Sequence, residues 1–217
     1  MQTKNSLSSL VWFPALLAAL LSAGCESDAP AARPSPNSSA RRWIGPLVSV
    51  PGGDQFRTVI YYGPWQCNSE LMTYCQRKCG GIGHTLQGCM WLADINFDFD
   101  GRLMQAGSRF PMTNCCCSYG TISPSATNAA SMRWNDMRDS FREDFAKRFG
   151  QSPADPDGTP YQGHHVHDLW HGGNPTDWNN IIPFPRDLHQ DLFGLYNQCY
   201  AGNPPWNSAG PRLPYVK

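Results

Sequence analysis

The sequence predicts an α+β fold: a disulfide-rich N-terminal module with strands, followed by a C-terminal domain entered through an amphipathic helix. Three observations carry this. Setting Cys25 apart leaves eight cysteines, seven of them between Cys67 and Cys117. The stretch FRTVIYYGPW is β-branched and aromatic and closes on Gly-Pro, as a strand does. Further on, Met132, Trp134, Met137, Phe141, Phe145 and Phe149 recur at close to helical spacing.

Residues 1–24 read as a leader. Lys4 precedes an apolar run, Leu10 to Leu21, that is too short to span a bilayer. LLSAGC resembles the lipobox of bacterial lipoproteins, with Ser22 where Leu is usual, and this resemblance implies lipidation at Cys25. A plain secretory signal is the other reading, and both send the chain out of the cytoplasm. Residues 25–42, rich in Pro, Ala and Ser, lack apolar periodicity and are expected to form a flexible tether. No later segment approaches transmembrane length, so the lipid is the expected membrane contact.

The Cys-rich module is expected over residues 43–125. An even number of cysteines in an exported chain points to disulfides, with pairing left open among 105 possibilities. A zinc site at Cys75, Cys79 and the Cys115–Cys117 run competes, but no paired CxxC spacing supports it. NSELMTYCQRKCGG, with Asn68 or Ser69 as cap and a glycine pair as stop, suits a short helix carrying Cys75 and Cys79 on one face. In DINFDFDGRLMQ, residues Asn96, Asp98, Asp100 and Gly101 fall at EF-hand positions, but Gly107 stands where the bidentate Glu belongs. The stronger reading is a strand with Ile95, Phe97 and Phe99 alternating, turned by Asp100-Gly101.

TISPSATNAAS is taken as a boundary, with residues 126–217 beyond it as the second domain. Gly150 is placed to end the amphipathic helix, and Pro153 to Pro160 to form a turn-rich loop. Then comes GHHVHDLWHGGNPTDWNNIIPFPRDLH, Gly163 to His189, which holds five of the six histidines. Several chemistries are excluded here. No GxSxG elbow exists for a serine hydrolase. A cysteine nucleophile conflicts with paired thiols. HExxH is absent, and the His167/His171 pair runs straight into Gly172-Gly173. Phosphodiester hydrolysis fits better, because it needs a divalent cation to stabilise phosphate charge and a separate neutral imidazole to activate water. Adjacent histidines on a strand point to opposite sides and can divide these tasks.

The segment resembles the HNH, or ββα-metal, motif of colicin-type nucleases and of the GHH and LHH nucleases of bacterial polymorphic toxins. The matching elements are His164-His165, Gly172-Gly173, Asp177, Asn180 before Ile181, Pro185 and His189. Asn180 lies fifteen residues after His165, and His189 nine after Asn180, as in the colicin-type register. The resemblance covers Tyr161 to about Leu195, and implies a C-terminal HNH-like domain preceded by the amphipathic helix. It implies His164 and His189 as metal ligands, His165 as general base, and Asn180 as the residue that braces the loop and orients the base. The family's further metal histidine, one turn after His189, is Phe193 here. That leaves the ligand set one group short, to be filled by Asp168 ahead of Asp191 or water. Arg186 is a candidate phosphate contact. Trp170, Trp178 and Phe184 are expected in a small core ahead of base stacking, Asp177 in a turn, and His167 and His171 in a loop or at the surface.

By resemblance, the chain is an exported metal-dependent endonuclease, acting on DNA ahead of RNA, in a bacterial toxin. The cofactor is a divalent ion (Mg, Mn, Zn or Ni), and an immunity protein is the expected partner in a producing cell. Charge stands against this reading. The chain has 17 Lys and Arg against 17 Asp and Glu, and from Ser131 to Lys217 there are eight basic and ten acidic residues, so nonspecific attraction to nucleic acid is weak unless the basic residues of the long helix cluster. The rival class is a disulfide-stapled surface lipoprotein with a binding role and a structural or degenerate metal site. A hydrolase acting on another phosphoester is the third. Cys199 lies beyond the motif and is expected to bridge to the N-terminal module.

Overall fold

The computed structural model describes residues 41–216. The leader, Cys25 and the tether through residue 40 lie outside them. Strand β1 (Arg41–Ser49) takes in Arg41 and Arg42, the last two residues assigned to the tether, and pairs them with Tyr62 and Tyr61 of β2 (Gln55–Gln66). Beyond β2, Asn68 caps helix α1 (Ser69–Gly81) by accepting the Leu71 N–H at 3.0 Å. The long strand β3 (Leu86–Phe99) pairs antiparallel with β2 and divides its other edge between two short strands. β4 (Arg102–Gln105) takes one end of that edge, and β5 (Thr113–Cys117) takes the other. Asp100 and Gly101, with φ of 51° and 84°, make the two-residue turn from β3 to β4, and the Gly101 N–H closes on the Asp98 carboxylate. The EF-hand reading is thereby replaced by a hairpin, as the Phe97/Phe99 alternation predicts.

Helix α2 (Pro124–Phe149) starts eight residues before Met132. The segment read as a boundary contains the helix start: Ser123 accepts the Ala126 N–H and Pro124 occupies the first helical position, where a missing N–H costs nothing. Gly150, with φ of 85°, ends the helix. Phe141 and Phe145 are buried, but Met132, expected on the apolar face, is exposed. Strands β6 (Gln162–His165) and β7 (Ile181–Phe184) form a two-stranded antiparallel pair, followed at once by α3 (Arg186–Tyr200). No described helix is long and apolar enough to cross a membrane.

Strand alternation distributes apolar side chains to both faces of the five-stranded sheet. Val59, Tyr61, Cys89 and Trp91 pack with α1 and Tyr215. Ile60, Tyr62, Met90 and Leu92 pack with Phe141, Phe145, Ile182, Phe184, Leu192 and Tyr196 of α2, β7 and α3. The segments on either side of residue 125 therefore bury their apolar surface in one continuous cluster, within a single compact unit. Phe184 is fully buried, worth roughly 1.5–3 kcal/mol by transfer from water.

All eight cysteines of the described chain are paired, which disposes of the zinc reading. Cys67–Cys89, Cys75–Cys115 and Cys79–Cys117 lie on the α1 face. Cys116–Cys199 joins β5 to α3, the bridge between modules anticipated from the position of Cys199.

Candidate functional site

The β6–β7 pair and α3 position four of the residues singled out in the sequence. In the β6–β7 register His164 lies opposite Ile182 and His165 opposite Ile181. Their side chains leave β6 on opposite sides, as a pleated strand requires. His164 packs against Phe184, Tyr196 and His189, its ring centroid 5.0 Å from that of His189 and nearly perpendicular to it. His165 packs edge-on against Trp134 of α2 at 5.3 Å. Gly163 permits this approach, since a Cβ there would overlap the Trp134 ring.

Burial sets the charge state of these imidazoles. His164 and His165 are 7 % and 6 % exposed. Desolvation, with smaller contributions from His189 and His165, pushes His164 well below the ordinary histidine range. His165 and His189 are also lowered, both chiefly by burial. Near neutrality all three are held in the uncharged form, the state that ligates metals or accepts a proton. The His165 Nε2 lies 3.2 Å from the carbonyl oxygen of Pro175. A carbonyl only accepts, so Nε2 carries the ring hydrogen and Nδ1 carries the lone pair.

Asn180 braces the loop between the two strands. Its Oδ1 accepts the His167 N–H at 2.7 Å, its Nδ2 donates to the carbonyls of His167 and Asn174 at 3.0 and 3.1 Å, and its own carbonyl accepts the Val166 N–H. The hydrogen-bond partner of the His165 ring is the Pro175 carbonyl, and the Asn180 side chain bonds His167 and Asn174 rather than that ring. Asp177 makes a turn at the entry to β7, accepting the Asn179 N–H.

Three expectations change. Asp168, assigned to the metal, accepts the His171 backbone N–H at 3.1 Å, and both carboxylate oxygens lie 3.0 Å from His171 Nδ1. It is thereby turned to the cap of a short 3-10 turn, Leu169–His171, and not brought to the His164/His189 pair. His167 and His171 lie in the connection between β6 and β7, as expected of loop residues, but are packed there: the His171 ring stacks on Tyr200 at 3.5 Å, and His167 Nε2 lies 2.9 Å from the His171 carbonyl. Arg186 is exposed at the start of α3, on an open groove it shares with Arg41, Asp155, Asp157 and Asp187. Those three carboxylates offset the attraction of two guanidinium groups for a phosphate. Trp178 packs on Phe141, and with Phe184 it forms part of the core.

Phe193, one turn beyond His189, is 68 % exposed. Among the described residues no group of three or more His, Cys, Asp or Glu side chains converges as a metal cluster. His164 and His189 lie ring against ring, both pushed toward the uncharged form by burial, and together they offer two of the three protein donors that a catalytic metal site usually has.

Sequence reading missed Tyr196. Its hydroxyl lies 2.8 Å from His164 Nε2 and donates within reach of the carbonyls of Val166 at 2.8 Å and His165 at 3.3 Å. The available signal was helical spacing: Tyr196 follows His189 by seven residues, so α3 presents both on one face. Compared with protein-family models, curated proteins and solved structures, the chain finds no match in any of the three.

Proposed function

We propose that this chain is an exported metal-dependent endonuclease of the HNH type, acting on DNA ahead of RNA and serving as a bacterial toxin. The supporting observation is the placement of His164 beside His189, with neighbouring His165 turned to the other side of the same strand. Two residues 25 positions apart meet at the junction of a strand pair and a helix, where the resemblance in the sequence assigns the metal ligands. A divalent cation held there by His164 and His189 would stabilise charge developing on the phosphate and the leaving oxygen. His165 takes a proton from the attacking water at Nδ1, the nitrogen that its bond to Pro175 leaves unprotonated. Asn180 keeps the intervening loop closed so that the Pro175 carbonyl stays on that ring.

The test is cleavage of a plasmid by the oxidised mature chain, with Mg, Mn, Zn or Ni and with chelator. The whole chain is needed, because α2 and α3 share their core with the five-stranded sheet. Metal-dependent nicking, abolished in His165→Ala with metal binding retained, supports the reading. Absence of cutting with every metal refutes it and favours a binding lipoprotein, a reading supported by the count of only two imidazole donors and the exposed Phe193. Cleavage of RNA or of small phosphoesters in preference to DNA would redirect the substrate assignment.

A further inference from the structure

The hydroxyl of Tyr196 is buried among three polar atoms: His164 Nε2, the Val166 carbonyl and the His165 carbonyl. A phenol has one hydrogen to give. Carbonyl oxygens only accept, so that hydrogen goes to Val166, the nearer of the two at 2.8 Å. The phenolic oxygen is then left with lone pairs facing His164 Nε2 at 2.8 Å, and the hydrogen between them comes from the imidazole. The opposite assignment, with the phenol donating to His164, would set its oxygen against two carbonyl oxygens with no hydrogen on either line.

We infer that Tyr196 is a positioning residue that fixes the His164 tautomer, placing the hydrogen on Nε2 and offering the Nδ1 lone pair to a divalent cation. The inference rests on the reading of His164 and His189 as the metal-holding pair. Histidine ligands in metal sites commonly give their second ring N–H to a fixed acceptor, which sets ring orientation and basicity. Here α3 supplies both parts: His189 as one ligand, and Tyr196 seven residues on as the acceptor that orients the other. Cys199, three residues further, ties this turn of α3 to Cys116 of β5, so the helix that carries the phenol is anchored covalently to the five-stranded sheet, while packing and hydrogen bonds hold the phenol against β6.

Two measurements test it. Long-range proton–nitrogen correlation spectra of the metal-free, 15N-labelled oxidised chain above neutral pH should show His164 with a protonated Nε2 and an unprotonated Nδ1. A protonated Nδ1 in the wild-type chain overturns the inference, and this readout requires neither bound metal nor activity. In Tyr196→Phe the two His164 tautomers should become mixed, and zinc affinity by calorimetry should fall about ten- to a hundredfold, with an unchanged near-UV spectrum as the check on packing. Zinc bound equally well by Tyr196→Phe and wild type overturns the role of Tyr196 while leaving the metal site standing. Failure of the wild-type chain to bind zinc, manganese or nickel overturns the metal site, and the tautomer spectrum still decides what Tyr196 does. Should Tyr196→Phe not fold, the wild-type spectrum alone decides.

Discussion

Removing the Cys116–Cys199 bridge is the perturbation whose size the structure sets most directly. The two residues lie 83 positions apart. Treating the bond as a restriction on the unfolded chain, a closed loop of that length is worth about 4–5 kcal/mol at room temperature. The three bridges on the α1 face close loops of 22, 40 and 38 positions, which the same relation values at about 3–4 kcal/mol each. The double variant Cys116→Ala/Cys199→Ala should therefore be the most destabilised of the four pair deletions, and by about 1 kcal/mol more than Cys67→Ala/Cys89→Ala. Equilibrium unfolding in guanidinium, with the remaining disulfides confirmed by mass mapping, measures the loss. The dependence on denaturant should steepen as well, because the freed chain exposes more surface when it unfolds. The variant should also lose zinc affinity, since His189 and Tyr196 sit on the helix that the bridge anchors. A loss below about 1 kcal/mol, or a Cys67/Cys89 deletion that costs more, would refute the ranking by loop length.

Acid should destabilise the fold from about pH 6.5 downward, where unfolded histidines take up protons. Buried His164 resists protonation until well below that, so the unfolded state binds the extra proton in between. The stability contributed is present above the unfolded value and is lost as pH falls, at about 1.4 kcal/mol per pH unit from this residue alone. Urea unfolding of the metal-free chain between neutral pH and pH 5 checks it, and a flat profile would contradict the burial. Asn180→Ala removes three hydrogen bonds across the loop and should cost about 1–3 kcal/mol; the expected signature is a lower melting temperature with faster exchange of the His167 amide. Phe193→His adds an imidazole one turn beyond His189 at an exposed position, so zinc should bind at least about tenfold tighter if the two rings reach one ion. Unchanged affinity would place the ion elsewhere.

The parts of this molecule that were legible in the sequence are those governed by local rules. Asn68 and the Gly80-Gly81 pair bounded α1, Asp100-Gly101 made a tight turn, and Gly150 ended α2, because caps and turns depend on a few neighbouring residues. Ser123-Pro124 is equally local, a cap followed by proline at the first helical position, yet the Ser, Thr and Pro content around it reads as a linker by composition. The His164/His189 meeting was legible only through the resemblance to the ββα-metal motif, because nothing local to either residue says that a strand end and a helix start 25 positions apart will come together. Tyr196 was not, because a tyrosine on the apolar face of a helix reads as core until its hydroxyl is seen to find a histidine. The same holds for Asp168, whose cap on His171 depends on a short turn that no periodicity announces. The continuity of the core across residue 125 was hidden for a different reason. A strand such as β3, apolar on both faces, does not say which distant helix will cover each side.

The run of three cysteines in β5 has a consequence for how the chain reaches its native pairing. Successive residues of a strand face opposite ways, so Cys115 and Cys117 meet the helix below the sheet while Cys116 meets α3 above it. One five-residue strand thus rivets two layers from its two sides. Any isomer that joined Cys116 to Cys75 or Cys79 would have to turn the strand over, and its ladder with β3 would slip by one residue along its length. The sheet must consequently be in register before oxidation can be correct, and an oxidant acting ahead of strand pairing would trap the chain with its upper helix, and the histidine pair with it, unfastened.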